Sequence, residues 1–444
     1  MTVPPEAPGP TGSALRGRLG RLAARAGWGV ADQALSSLTN FAVGIYVARS
    51  LGPRGLGAFS LAFATYLIAL NASRGLATDP LVVRYSGAEP AAWRQAAARA
   101  TGVATTVGIA AGAASVAVGM LLSGQTGAAF VALGVMLPGL MLQDSWRYAF
   151  FSAGRGGQAF ANDLVWAIAL FPLMAAVAAS GHAEVQWFVL AWGVSATVAA
   201  LAGGVQARLV PHLSAAAGWL RQHRDLAPRY LGENLSFSAA TQLRFYGLSA
   251  VAGLAAVGAL RAAELLLGPL NVVIIGIGLI GVPEGARIVR RSLRHLWPFC
   301  LVLGTLQGAT AVVWGLALLL LPDGLGVRIL GPSWQPASAL LLPVTLTVAL
   351  TGFWVGAWTG LRALGVARRS LRAQAFGSAA YLAGALLGAW LADAAGAAWG
   401  GAAGTAVATG IWWWQLHRGL REFRSSAAAP PAEAEAVHLP GAGG

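Results

Sequence analysis

Lysine is absent from this sequence. All 30 basic residues are Arg, set against 16 acidic ones, and charge of either sign makes up only 10% of the chain. There is one cysteine, Cys300, inside an apolar run, which excludes a disulfide framework and any Cys-based metal centre. The six histidines (His182, His212, His223, His295, His417 and His438) show no ligand-like clustering, so no metal site is expected. Most scarce of all is polar surface. Hydrophobic residues are 57% of the 444, mean hydropathy is +0.64, and apolar runs of 18 or more residues recur from end to end. Such a chain cannot present a soluble exterior and reads as a polytopic α-helical membrane protein.

What is present organises itself into twelve expected spans: 27–49, 56–78, 100–123, 126–151, 160–180, 185–206, 231–253, 264–283, 296–321, 336–361, 371–392 and 395–416. The net charge of +14 would suggest nucleic acid in a soluble protein, but its placement gives it another meaning. Counting Arg in the connections puts twenty-four on one side, Arg147 among them, and four on the other: Arg49, Arg54, Arg261 and Arg328. Arg74 and Arg244 remain within spans. The positive-inside rule then makes both termini cytoplasmic in a multi-pass cell-membrane protein, with no nucleic-acid partner. Residues 1–26 form a cytoplasmic tail whose ALRGRLGRLAARAG stretch reads as an interfacial helix on anionic lipid. Residues 207–230 link two halves, 27–206 and 231–416, and the Ala/Pro/Glu-rich end, 417–444, reads as a disordered tail. No signal peptide is evident.

The chain compares with itself at a spacing near 200 residues. At an offset of 201, Gln33 meets Asn234, Ser37 meets Ser238, Asn40 meets Thr241, Gly52 meets Gly253 and Gly57 meets Gly258. Further on, Pro80 and Arg84 match Pro283 and Arg287, and Trp146 and Arg155 match Trp358 and Arg368. Six spans per half give a parallel repeat about an axis along the membrane normal. The expected architecture is therefore all-α: two six-helix lobes around a central cavity, rocking between two states.

The stretch ARSLGPRGLGAFSLAFATYLIALNASRGLATDPLVVRYSG (48–87) carries a recognisable pattern: Arg49, Leu51-Gly52-Pro53, Gly57-Ala58-Phe59-Ser60-Leu61-Ala62 and Arg84. It resembles the polysaccharide-transport branch of the multidrug/oligosaccharidyl-lipid/polysaccharide flippase superfamily, the O-antigen flippases and their relatives. That resemblance implies a polyprenyl pyrophosphate-linked glycan as cargo, with membrane lipids around it and a glycan polymerase and glycosyltransferases as further partners. It implies no cofactor. Members of the family often use Lys in the cavity; here Arg must do all cationic work.

Arg244 is the first candidate for cargo contact, because a midplane guanidinium costs about 2.5–3.5 kcal/mol and can pair bidentately with a phosphate. A structural pair with a carbonyl or carboxylate is the alternative. Asn234, Thr241, Gln242 and Tyr246 share its span and offer hydrogen bonds. In the first half, Asp32 is open to three readings: a proton or cation site, the ion-pair partner of Arg244, or a helix cap. Gln33 and Asn40 could line the same cavity face, Asn40 at four-residue spacing from Ser36. Arg74 is a further cavity candidate, or a local partner of Asp79 across a kinked helix end. Arg49, Asp79, Arg84, Arg261 and Glu264 are candidates for gate or ion-pair roles, with Arg49 and Arg261 placed in equivalent outward turns.

Other signals carry less. GIGLIG (Gly276–Gly281) matches a nucleotide fingerprint only in letters, since it lies in a span with no strand before it. Gly352, Gly356 and Gly360, like Gly396, Gly400 and Gly404, suit close helix packing. Trp412, Trp413 and Trp414 read as an interfacial belt. No Walker motif is present, so the energy source would be an ion gradient (proton or sodium), the membrane potential or the substrate gradient. The rival readings are a multidrug antiporter of the same superfamily, a major-facilitator carrier, and a membrane glycosyltransferase or polymerase. The short outward loops argue against an enzyme.

Overall fold

The computed structural model describes residues 12–181 and 183–428, without the side chains of residues 12–26, 237, 239, 240, 271–280 and 426–428. The Pro-rich start and the tail beyond 428 lie outside the described residues, as do the side chains of the expected interfacial helix. Every element described is helical. The first stretch, Gly12–Ser73, breaks at Gly52 into α1 (12–51) and α2, which continues through a π-turn at Arg74–Thr78 to Tyr85. Then follow α3 (Pro90–Leu121), α4 (Gly124–Ser152), α5 (Gly156–Ala179), α6 (Val185–Ala207) and a short α7 (Ala216–Gln222).

The second half repeats the plan. The stretch Ala227–Leu267 breaks at Gly253 into α8 (227–252) and the start of α9, which resumes after Gly268-Pro269 as Leu270–Arg291. Next come α10 (Leu296–Leu319), two short helices α11 (Asp323–Leu330) and α12 (Trp334–Ser338), and α13 (Leu341–Ala363). The last stretch, Ala367–Ala428, turns at Ala392–Asp393 into α14 (367–391) and α15 (394–428). Among the described residues, nine stretches are long and apolar enough to cross a membrane; divided at their breaks, they make the twelve spans. The chain is thus an all-α, multi-pass membrane protein.

The internal repeat is written in the backbone. Gly52 has φ 66° and ψ −172°, and Gly253 has φ 79° and ψ 176°, the same left-handed break at the same offset. Only glycine adopts it without steric cost. The two breaks then let the halves touch. Gly57 of α2 lies against the carbonyl of Leu254, and Gly258 of α9 lies against the carbonyl of Pro53, one contact made twice. Around it a single apolar core joins both lobes, including Leu56, Phe59, Trp192, Val257, Leu260 and Trp334.

Towards the Arg-rich end the lobes have separate cores. One gathers Trp93, Trp146, Phe150 and Trp219, the other Leu296, Cys300, Leu361, Trp412 and Leu416. α2 and α8 stay together along their length, through Thr65 and Tyr246 (2.6 Å) and through Asn234 and Asp79 (2.8 Å). α1 meets α9 at Gly44, against Leu265, and again at Phe41, beside Gly268.

Several expected boundaries shift. α9 begins directly after Gly253, ten residues before the expected 264, because the glycine break is itself the turn. The 207–230 linker is largely ordered: α7 docks on the first lobe with Trp219 buried and donating to the Leu76 carbonyl (3.1 Å). Residues 417–428 continue α15 as helix, held by Leu416 and Leu420 in the core and by Arg369, whose Nε donates to Glu422 (2.8 Å). The expected glycine packing is present: Gly352, Gly356 and Gly360 sit against α10, and Gly396, Gly400 and Gly404 against α14.

Candidate functional site

Arg244 lies nine residues before the Gly253 break, about 14 Å along the helix axis, near the middle of a hydrocarbon core about 30 Å thick. It is buried, as its apolar neighbours on α8 require. Its partner is Glu264 of α9, at 2.7 Å, so the carboxylate comes from the adjoining helix and not from the other lobe. Arg261 stands one turn away from the same carboxylate, at 3.7 Å. Two guanidiniums thus share one carboxylate, leaving a local excess of positive charge. Aromatic faces hold them: Phe245 and Tyr381 lie 4.5 and 5.4 Å from Arg244, and Phe63 of the other lobe lies 5.4 Å from Arg261. Arg244 Nε is buried without a hydrogen-bond partner.

Arg261 and Glu264 face a cavity of about 210 Å³ between α1, α2 and α9. Ser37, Asn40 and Phe41 of α1 and Phe63 of α2 line one side; Arg261 and Glu264 line the other, above the Gly268-Pro269 interruption. Arg261 and Glu264 are therefore not in an outward turn as expected, since α9 has already run two turns and more from Gly253. Arg261 is the accessible cation, and Arg244 stands behind it through Glu264. Asn40 lines this cavity as expected, although its amide nitrogen is tied to the Ser36 carbonyl at 2.9 Å. Tyr246 bonds Thr65 across the lobes and Gln242 is buried, while Thr241 faces a second cavity inside its own, C-terminal lobe.

Asp32 does not pair with Arg244 and does not face the cavity. It is buried within the first lobe against Arg147 of α4, which also reaches Asp163 of α5 at 3.5 Å and Gln33 at 3.5 Å. Arg74 likewise does not pair with Asp79. Its guanidinium forms a fork with Asp144 of α4, Nε to Oδ2 at 3.0 Å and Nη2 to Oδ1 at 2.7 Å, with Tyr148 beneath it. The π-turn aims it there. Asp79 is left to accept from Asn234, which also reaches the Asn71 carbonyl at 3.4 Å, bridging α2 and α8.

Arg147, Asp144 and Asp163 were missed because Arg147 was counted in a connection. It lies inside α4, and side chains from α1, α4 and α5 cover it. The signal was QDSWRY (143–148), a polar run before a span end, together with Asn162-Asp163 early in the next span. Gln143 and Asn162 complete the network, Gln143 donating to Asp163 at 2.8 Å. Outside the spans, Arg84 pairs with Asp225 at 2.5 Å and donates to the Gln222 carbonyl, holding α7. Arg49 and Arg54 are exposed in the short turn and, among the described residues, make no ion pair.

No family model and no curated protein matches this chain. Solved structures do. An inward-facing multidrug resistance MATE family transporter of the MOP superfamily shares 17% identity over 88% of this chain and 96% of its own, with a TM-score of 0.66. The lipid II flippase MurJ in an inward closed conformation shares 10% identity over 90% of each chain, also at 0.66. An outward-facing MATE structure, 18% identical over 89% of this chain and 94% of its own, superimposes less well at 0.53. At these identities the likeness is one of fold, and this chain has the fold of the MATE and MurJ transporters of the MOP superfamily.

Proposed function

We propose that the protein is a flippase for a lipid-linked oligosaccharide, moving a polyprenyl pyrophosphate glycan from the inner to the outer leaflet by alternating access. The observation that carries this reading is the excess guanidinium beside the inter-lobe cavity, Arg261 at its wall and Arg244 behind, around the single carboxylate of Glu264. The half-buried Arg261 guanidinium, which shares its carboxylate with Arg244, is suited to an anionic head group. One fold neighbour is a lipid II flippase, which agrees with lipid-linked cargo. Both termini are cytoplasmic in this reading, and the Arg-rich end faces the anionic leaflet where the cargo is made; a polymerase and glycosyltransferases act on either side of the step.

Coupling to protons or sodium belongs to the first lobe. Asp32 and Asp163 share one guanidinium, and Asp32 Oδ1 and Asp163 Oδ2 have no hydrogen-bond partner, which leaves room for a proton. Those same carboxylates are what favours the second reading, a multidrug antiporter for organic cations.

Reconstitution decides between them. Proteoliposomes carrying a fluorescent polyprenyl pyrophosphate glycan should show protein-dependent transfer between leaflets, lost in Arg261→Ala at unchanged protein content. Absence of transfer, with proton-driven export of a cationic dye instead, would overturn the flippase in favour of the antiporter.

A further inference from the structure

A second cavity, of about 220 Å³, lies wholly within the C-terminal lobe between α8, α13, α14 and α15. Among the described residues its lining mixes polar and apolar groups and carries no ionisable group except the Tyr381 phenol: Thr347, Thr351, Gln374, Ser378 and Thr405 supply the polar part. Trp354 and Trp412 close it on one side as a stacked pair, centroids 5.0 Å apart and planes within 8°. Trp412 is therefore not part of an interfacial belt; it is buried against Trp354, while Trp414 two residues on is exposed.

The hydrogen bonding inside this cavity is directional. Thr347, Thr351 and Thr405 each donate their hydroxyl proton to a helix carbonyl one turn back, at 2.9, 2.8 and 2.8 Å. Their lone pairs remain, so each presents an acceptor. Gln374 gives one amide N–H to Ser378 at 2.9 Å and keeps the other, together with its carbonyl oxygen as a further acceptor. The cavity thus offers acceptors at these oxygens and donors at the Ser378 and Tyr381 hydroxyls, a mixture that suits a ligand whose groups both donate and accept. A cation is disfavoured because no carboxylate lines the walls and because Arg244 sits behind Tyr381, 5.4 Å from its ring. The volume is below the roughly 300–1,000 Å³ of drug-sized sites.

We propose that this cavity binds one uncharged sugar ring, whose hydroxyls donate to the threonine and Gln374 oxygens and whose C–H face lies on the Trp354–Trp412 pair. Arg244 stands between the two cavities, bonded to Glu264 of the first and facing Tyr381 of the second. A cargo with an anionic link and a sugar would engage both, an extension that rests on the flippase reading.

The test separates the two. Full-length protein in a detergent without a sugar head group is examined by saturation-transfer NMR with the methyl glycosides of glucose, galactose, mannose and N-acetylglucosamine. At least one should receive magnetisation from the wild type, and the signal should fall at least fivefold in Thr351→Val/Thr405→Val. Ser378→Ala, a smaller change, provides the comparison if the double variant does not fold. No transfer to any glycoside, transfer unchanged in the variants, or a signal displaced by sodium chloride but not by choline chloride would overturn the sugar site. Binding of bare polyprenyl pyrophosphate, compared between wild type and Arg261→Ala, bears on the flippase alone; its absence alongside retained sugar binding would sink that reading and leave the pocket standing.

Discussion

Arg244 of α8 and Glu264 of α9 lie on opposite sides of the Gly253 break and meet at 2.7 Å. The break folds α9 back along α8, and a charge that the bilayer would reject becomes half of an ion pair. Because Arg261 claims the same carboxylate, the pair is not neutral. Folding tolerates the excess only because the carboxylate and the Phe63 face absorb part of it.

Removing Glu264 is expected to be worse for stability than removing either arginine. Glu264→Gln leaves two guanidiniums facing each other, and breaking a buried pair costs about 3–5 kcal/mol. Arg244→Leu/Glu264→Leu should recover much of that loss. Thermal unfolding in detergent of the single and double variants checks the order; equal melting of Glu264→Gln and wild type would contradict it.

The Arg147 cluster predicts the opposite sign of excess. Arg147→Ala strands Asp32 and Asp163 together, with a loss of about 3–5 kcal/mol, whereas Asp32→Asn leaves one carboxylate for one guanidinium and should be much milder. Expression and melting temperature of the two variants at neutral pH distinguish them. A milder effect from Arg147→Ala would mean that the cluster is solvated.

Gly57 and Gly258 make one contact from two directions, so their variants should behave alike. Valine at either position pushes against a backbone carbonyl, with an overpacking cost of about 1–3 kcal/mol, and should pry the lobes apart at the short turns. Spin labels at Arg49 and Arg328, exposed residues of the two halves, should report a longer distance in both variants. An unchanged distance in one of them would break the equivalence.

The docking of α7 should depend on pH. Burial holds the His223 imidazole below its ordinary pKa of 6.5, against the Trp219 carbonyl 2.9 Å from Nδ1, which favours its protonation. A depressed histidine stabilises the folded form in its neutral state. That stability is present above about 6.5 and is lost as pH falls through the lower, folded value. Hydrogen exchange of residues 216–222 should accelerate between neutral and acidic pH, and His223→Phe should flatten the dependence.

How much of this was legible depended on the kind of signal. The positions of Gly52 and Gly253 were readable because a left-handed break admits so few residues that the same letter recurs at the same offset. The packing of Gly396, Gly400 and Gly404 was readable because close helix approach leaves a four-residue trace. Arg147 was not readable. Proximity to a span end looks the same whether a side chain turns towards water or inwards, and only the convergence of α1, α4 and α5 settles which. Trp412 failed for a related reason: its neighbours on the chain suggest an interface, while its stacking partner is Trp354, fifty-eight residues away.

Composition and periodicity by themselves determined that this chain crosses a membrane many times, in two related halves, with an intramembrane Arg at 244. Those are consequences of solvation, which acts on each segment separately: an apolar run must leave water, and its backbone must then close on itself as helix. Which charges neutralise one another was decided only by the tertiary structure. Ion pairing depends on the rotation of one helix about its axis relative to its neighbours, and here that rotation follows from packing at Gly57, Gly258 and the π-turn, contacts between residues far apart in the chain. Thus Arg244 found Glu264, Asp32 found Arg147, and Arg261 was left facing the cavity.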